Sequence, residues 1–502
     1  MLTKFNLANF HGFGNTMVSR ISNLKFSKME TAATHTNNQL LGSEIFENFK
    51  QAFIGDLITS DHSDYDQQRQ LWNGMIDKKP QLIAQCYGVS DVIRTVNFAR
   101  DNNLLVAVRG GGHNVAGNAM NDDGIVIDLS QMRAVLVNPN QKTAIVQGGA
   151  IWRDVDRETQ VFSLACAGGV VSDTGVGGLT LGGGLSWFRR KAGMSIDNLV
   201  RAQVVLADGS CVSASAEENQ DLFWAIRGGG GNFGIVTSFE FNLYDLGPEV
   251  MFAACMYPRS AAQKVMDFWV EFTRDLPDEM TTDCLHWSIP EHEAFPKELH
   301  GKPVTALAGM YFGSPEEGRK ALQPLREVAE PLLDLSNVYP YAAVNQMFDA
   351  FLVKGTLNSY WKSLYVDDLS DDLIKLILDK VNNSPSPQSL LSIRNLQGAL
   401  SRVGASETAF GDRSGRFLVS IDTMWTDQDD DANNIQWTRE FFSELHKHSG
   451  GQVYFNFNSD MSGSDNLAED SYGSNYQKLV EIKTKYDPEN FFRLNANIKP
   501  RS

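Results

Sequence analysis

The residues best suited by type to do chemistry stand together at Arg109-Gly110-Gly111-Gly112-His113-Asn114. An imidazole can act as a nucleophile. Three successive residues without Cβ let backbone come close to a ligand. Consecutive N–H groups in such a loop form an anion-binding concavity, and Arg109 adds a positive charge beside it. The pattern predicts a phosphate-bearing ligand with His113 at its rim. Two further glycine-rich stretches share this character, GVGGLTLGGG at 175–184 and RGGGGNFGIVT at 227–237. Gly229, Gly231 and Gly234 spell GxGxxG. A helix is predicted before them and a strand after, the reverse of a Rossmann nicotinamide site, which is therefore rejected. Other candidates are single side chains: His286, Lys362, Gln397, Tyr454 and Tyr476. Five scattered cysteines show neither a CxxC pair nor zinc spacing, so no metal site is expected and a reducing, cytoplasmic setting is.

These residues need elements to position them. Apolar patterning predicts strands at 81–87, 104–108, 125–129, 144–148 and 235–243, and helices at 44–58, 91–100, 151–160 and 220–226. Ser90 is the expected N-cap of the second helix. A β-α-β unit thus leads into the His113 loop. Residues 203–215 predict a hairpin turning at Asp208-Gly209. The stretch 167–184 is too rich in glycine for a regular element and too apolar for a linker. It reads as backbone wrapped around something flat and buried.

Beyond Leu246-Gly247-Pro248 the pattern changes. Strands at 251–257, 283–289, 304–312, 391–399, 417–425 and 453–458 alternate with helices at 261–274, 316–335, 371–382 and 433–447. This predicts an α+β protein with an antiparallel sheet covered by helices. The aromatic and Asn-rich stretch 472–500 is expected to pack back onto the first part. Residues 1–43 are expected to be a disordered extension without a secretory signal. The net charge of −17 excludes a general binder of nucleic acid or anionic membrane. No apolar run is long enough to span a bilayer.

In order, RGGGHN (109–114), GVGGLTLGGG (175–184), RGGGGNFGIVT (227–237) and YGSNY…KYDPENFFRLNANI (472–498) resemble the FAD-linked oxidases of the berberine bridge enzyme type. These lie within the vanillyl-alcohol oxidase / p-cresol methylhydroxylase (PCMH) superfamily. The resemblance implies a two-subdomain PCMH-type FAD-binding domain at 44–247 with its core at 79–246. It implies a substrate-binding domain at 248–450 and a segment at 451–502 that returns to the first. His113 would bond covalently to the 8α-methyl carbon of the flavin. Arg109, Gly110, Gly111, Gly112, Asn114, Gly175, Val176, Gly177 and Gly178 would cradle pyrophosphate and ring edge. Gly234, Ile235 and Val236 would follow the adenosine half, and Asn475 and Tyr476 would sit by the flavin. The implied reaction takes hydride from an alcohol or C–H group of a sugar or secondary metabolite to flavin N5, with O₂ as acceptor and H₂O₂ as product. Alternatives are a flavin-binding protein without turnover and a dehydrogenase using another acceptor.

Two departures from the family pattern stand out. Some members carry a second, cysteinyl tether just before the GVGG run. That position here is Val171, the nearest thiol being Cys166, so one tether through His113 is expected. Many members carry a catalytic tyrosine where this chain has Phe457, in Tyr454-Phe455-Asn456-Phe457. If Phe457 faces the flavin from a strand, alternation turns Tyr454 away as a packing residue. Proton abstraction then falls to Tyr476, Tyr454, His286 or Lys362, with Gln397 as a further substrate-facing group.

Overall fold

The computed structural model describes residues 43–459 and 467–501. The extension expected over 1–43 lies outside them except for Ser43. The chain divides into two units, Met1–Glu47 and Asn48–Ser502, and helix α1 is Glu44–Ala52. The sheets below belong to the second.

Sheet one contains β1 (Asp56–Ile58), β2 (Leu82–Gln85), β3 (Val106–Arg109) and β4 (Ile125–Asp128). Its order is β1-β2-β4-β3, with β2 and β3 both parallel to β4. Parallel strands are covered on both faces, and β2 and β4 are buried throughout. Helix α2 (Val89–Asp101) makes the crossover and buries Val92, Val96, Phe98 and Ala99. Its N-cap is Gly88, not Ser90. Asp91 explains the difference, because its carboxylate accepts the N–H groups of Tyr87 (2.9 Å) and Ile54 (3.0 Å) and starts the helix earlier.

Sheet two is antiparallel and six-stranded: β5 (Val135–Asn138), β6 (Thr143–Gln147), β7 (Leu164–Cys166), β8 (Leu199–Val205), β9 (Cys211–Ser215) and β10 (Ile235–Asp245). The long β10 pairs with β6, β7 and β8. Asp208-Gly209 makes the β8–β9 turn, with Gly209 at φ +82°. Helix α3 (Trp152–Gln160) leads to β7, and α4 (Val176–Leu181) begins inside the glycine-rich stretch expected to be irregular. Helix α5 (Gln220–Ile226) packs into the same core, around Trp152, Phe239 and Phe241.

Sheet three lies wholly after Pro248: β11 (Glu249–Pro258), β12 (Met280–Ser288), β13 (Pro303–Tyr311), β14 (Leu333–Asp334), β15 (Asn337–Pro340), β16 (Asn358–Val366), β17 (Leu390–Asn395) and β18 (Phe417–Trp425). It is antiparallel, ordered β14-β11-β13-β12-β17-β18-β16, with β15 also on β11. Residues directly opposite share a face. One face carries Leu364, Val419, Ile393, Cys284 and Leu307 in a single cross-strand row. Helices α6 (Ala262–Phe272), α8 (Asp371–Asn382) and α9 (Asp431–His446) cover it, burying Trp269, Ile374 and Phe441. The helix expected at 316–335 stops early. Helix α7 (Pro315–Leu322) is followed by a 3₁₀ turn holding Pro324 and then by β14 and β15.

The strand expected at 453–458 does not form, and a 3₁₀ turn, Phe455–Phe457, occupies it. Helix α10 (Tyr476–Tyr486) and the residues after it return to the turn at 228–232. Lys483 Nζ donates to Asn232 O (2.7 Å), Asp487 Oδ2 (2.6 Å) and Phe492 O (2.8 Å). Asn232 Nδ2 donates to Ala496 O (3.1 Å), and Asn495 Nδ2 to Gly231 O (3.0 Å). No helix among the described residues is long and apolar enough to cross a membrane.

Candidate active site

A cavity of about 330 Å³ opens between the glycine-rich turns and sheet three. The glycine side is lined by Gly110, Gly111, Gly112, His113 and Asn114, by Gly175, Gly177 and Gly178, and by Gly234, Ile235 and Val236. These three groups, far apart in sequence, line one cavity. Their glycines serve different ends. A Cβ on Gly111 would lie 2.4 Å from Gly175 N, so Gly111 and Gly175 are spent on packing one loop against the other. A Cβ on Gly178 would meet no described residue within 4 Å, which leaves that backbone bare toward the cavity. Val176 faces the protein core instead.

Arg109 does not line the cavity. It is buried and paired with Asp128, its neighbour in register on β4, through Nη2–Oδ2 (2.6 Å) and Nε–Oδ1 (3.1 Å). Its charge is thus neutralised in sheet one, and the expectation of a cation aimed at a phosphate is corrected. It braces the end of β3, from which the His113 loop springs.

His113 is held from three sides. Its ring stacks on Trp72, with centroids 5.4 Å apart and planes at 24°. Trp72 N donates to Gly112 O (3.1 Å). Nε2 lies 3.1 Å from Asp173 Oδ1. Next to Trp72, Asn73 Nδ2 donates to both Val115 O and Ser359 O at 2.8 Å, tying the loop to β16. Neither Trp72, Asn73 nor Asp173 was singled out from sequence.

The other wall is the second face of sheet three. Its cross-strand rows are Trp361–Asp422–Leu390, Ser363–Ser420–Ser392–Leu285 and Tyr365–Leu418–Arg394–Asp283. Asp422, Arg394, Asp283 and Trp361 line the cavity. Arg394 Nη1 donates to Ser392 Oγ (2.6 Å), and Ser392 Oγ to Asp422 Oδ2 (3.4 Å). Ser420 Oγ donates to Asp422 Oδ1. Burial holds the Asp422 carboxyl above the usual carboxylate range, against the opposing pull of Arg394. Asp283 is neutralised by Arg189 in a buried pair. The sequence did carry a signal for this wall. In β17 and β18, Ser392, Arg394, Ser420 and Asp422 fall on one parity, and Leu391, Ile393, Val419 and Ile421 on the other.

That parity also places the single candidates. His286 and Lys362 lie in the row Lys362–Ile421–Leu391–His286–Thr305, on the helix-covered face. Lys362 lies 5.6 Å from the ring centroid of Phe442 on α9. His286 Nδ1 bonds Thr305 Oγ1 (3.0 Å), and burial pushes its pKa down to about 3. Gln397 stands beyond the end of β17, at the start of the Gly398–Arg402 turn, off the cavity. Asn475 is turned to Ala405 O (2.7 Å) and Thr408 O (3.2 Å), and Tyr476 packs against the core of sheet two. Neither lines the cavity, whereas Tyr472 does.

Tyr454 does not point away. Without a strand at 453–458 the side chains do not alternate between faces, and Tyr454, Asn456 and Phe457 all line the cavity. The Tyr454 hydroxyl accepts from Gly184 N and Asn456 Nδ2, both at 3.0 Å. Burial raises its pKa, so it keeps its proton. Arg394 lies 4.7 Å from the Phe457 ring centroid.

The bare glycine backbone fits a dinucleotide, and Arg394 and Arg493 are the cations on the same cavity wall. Asn118 lines the cavity, and its Nδ2 is buried with no hydrogen-bond partner among the described residues, a donor awaiting an acceptor. Comparison with known proteins agrees. The family described as FAD binding domain matches residues 80–215, and that described as berberine and berberine like matches 453–499. The FAD-linked oxidoreductase pgmH of Aspergillus terreus is 30% identical over 490 residues, covering 89% of this chain and 94% of that one. The crystal structure of 6-hydroxy-D-nicotine oxidase from Arthrobacter nicotinovorans superposes with a TM-score of 0.79 at 26% identity, covering 89% of this chain and 98% of the other. A chitooligosaccharide oxidase superposes with a TM-score of 0.77 at 25% identity, covering 91% and 100%. Glycine turns, cavity and both matched segments converge on one conclusion: the chain is an FAD-dependent oxidoreductase and belongs to the FAD-linked oxidoreductases of the berberine bridge enzyme type.

Proposed function

We propose that this protein oxidises a hydroxyl-bearing small molecule, of sugar or secondary-metabolite type, using FAD bonded to His113 and O₂ as electron acceptor. The observation that carries this reading is a single cavity bounded by the His113 loop on one side and the polar face of sheet three on the other. Bound FAD supplies a two-electron hydride acceptor.

The chain's own residues do the rest. Gly110, Gly112 and Gly178 present backbone to the cofactor, and Asn118 Nδ2 adds a donor. Peptide dipoles answer a dianion without bulk positive charge, which suits a chain of net charge −17. Asp422 Oδ2 takes the proton of the substrate hydroxyl, in place of the tyrosine replaced by Phe457. A buried carboxyl with a raised pKa is better matched to that task near neutral pH than an exposed one. Arg394, through Ser392, steadies the ionised Asp422 carboxylate before it takes the proton. Tyr454, its oxygen already accepting two hydrogen bonds, is left to donate its own proton to a substrate oxygen. Val171 occupies the cavity wall and Cys166 is sealed in β7, which supports a single tether. The names of the solved relatives, a nicotine oxidase and a chitooligosaccharide oxidase, support a pocket able to take either alkaloid-like or sugar substrates.

Acid precipitation tests the tether. The wild-type pellet stays yellow, and His113→Ala sends its colour to the supernatant. A panel of alcohols and carbohydrates scored by H₂O₂ release tests the reaction. A colourless wild-type pellet refutes the tether, and a photoreduced flavin that survives minutes in air refutes the oxidase.

A further inference from the structure

The two ring nitrogens of His113 are not equivalent. Nε2 is 3.1 Å from Asp173 Oδ1. Asp173 as a residue is only partly buried, yet Oδ1 itself is buried and accepts no hydrogen bond from any described residue. A buried oxygen without a donor is costly, so a partner close at hand matters. The loop around it is firmly held. Arg153 N donates to Ser172 O (2.7 Å), Ser172 Oγ to Asp349 Oδ2 (2.7 Å) and Trp152 N to Thr174 O (3.1 Å). The Gly111–Gly175 contact fixes this loop against the one that carries His113. Trp72 fixes the plane of the ring. A small swing of the carboxylate, rather than a loop movement, completes the Nε2–H···Oδ1 bond. Site hydrogen bonds of this kind often tighten only when the ligand is present.

We propose that Asp173 is the positioning residue that makes His113 a nucleophile toward the flavin. By accepting from Nε2–H it keeps the proton there and the lone pair on Nδ1. It then receives the Nε2 proton as the ring gains positive charge. The inference rests on the tether reading above. In the covalent step Nδ1 forms a bond to the 8α-methyl carbon, and one C–H bond of that methyl breaks. The hydrogen leaves as a proton. The electron pair of the broken bond passes to O₂, which with the two released protons becomes H₂O₂. The loss of the Nε2 proton to Asp173 leaves a neutral, alkylated imidazole. Tautomer fixing by an aspartate of this kind is known from Ser-His-Asp hydrolases, where the carboxylate orients the imidazole without taking its proton and Asp→Asn slows catalysis by ~10⁴ through the wrong tautomer.

The test is the isosteric D173N in the full chain, mixed with FAD in air. The readouts are the mass of the intact chain after acid treatment and the yellow colour of the native protein before it. Native D173N is expected to be yellow, with acid-stable flavin forming at least tenfold more slowly than in wild type. D173E, which keeps the carboxylate, is expected to recover much of that rate. A tethered wild type beside an equally tethered D173N overturns this proposal alone, as does equal tethering by D173N and D173E. A wild type with no acid-stable flavin overturns the tether reading and this proposal with it.

Discussion

Lys483 should be the most expensive single side chain to remove from the C-terminal return. Its side chain is wholly buried, and all three ammonium protons are used, on Asn232 O, Asp487 Oδ2 and Phe492 O at 2.6–2.8 Å. K483M leaves Asp487 as a buried charge without its cation, a loss that runs to about 3–5 kcal/mol. Two carbonyls also lose their donor, adding roughly 1 kcal/mol each. Against this, Asp487 keeps the N–H groups of Phe491 (2.7 Å) and Phe492 (2.9 Å), which offset part of the loss. We expect about 4 kcal/mol in all. Urea unfolding followed by tryptophan fluorescence measures it, and D487N with K483M/D487N completes a double-mutant cycle. The double variant should lie well above the sum of the singles, since it removes the unpaired charge. A K483M chain within 1 kcal/mol of wild type, or strictly additive singles, would show that the network is not what holds the segment to the 228–232 turn.

Three further outcomes follow from the site and its frame. D422N should lower kcat on an alcohol substrate by ~10²–10⁴ with flavin content unchanged; because the Asp422 carboxyl must ionise to accept a proton and burial raises its pKa, wild-type activity should fall with acid above the ordinary carboxylate range, and D422N should lose that limb in a kcat pH profile. G111A should drive a methyl to 2.4 Å from Gly175 N and separate the two loops, abolishing acid-stable flavin while far-UV circular dichroism stays unchanged. His286 is held neutral, its pKa pushed from the usual 6.5 to about 3. It therefore binds fewer protons when folded, its contribution being full above pH 6.5 and lost as pH falls toward 3. Wild type should lose roughly 2 kcal/mol more than H286Q between pH 7 and pH 5 in denaturant titrations.

Much of the frame was legible in the sequence because its signals are local. The helix at 371–382 and the strand at 417–425 fall where apolar period placed them, as does the turn at Asp208-Gly209. Strands with weak alternation were missed, among them Asn358–Val366, whose Asn358, Lys362 and two serines hide the edge strand that pairs with β18 along its whole length. In the site, the glycine runs and His113 were readable, since bare backbone at that density has few other uses. Arg109 misled because its partner, Asp128, is nineteen residues away and becomes a neighbour only through parallel pairing. Tyr454 misled for a related reason: a strand was assumed where a 3₁₀ turn forms, and a face assignment is only as good as the period beneath it. Asp422 and Arg394 were passed over although their parity marked them, because a polar residue in a strand reads equally well as solvent-facing until something is known to cover that face.

The cavity wall draws on residues 110–114 and on residues 493–496, so its two ends are made hundreds of peptide bonds apart. A ribosome that has finished sheets one and two has not yet supplied Asn495 to the Gly231 carbonyl or Lys483 to Asn232. Prosthetic-group uptake is therefore expected to wait until residues 483–496 have been made and folded back onto the 228–232 turn. A stop codon placed before Lys483 is expected to yield a colourless product even though every glycine turn has been translated.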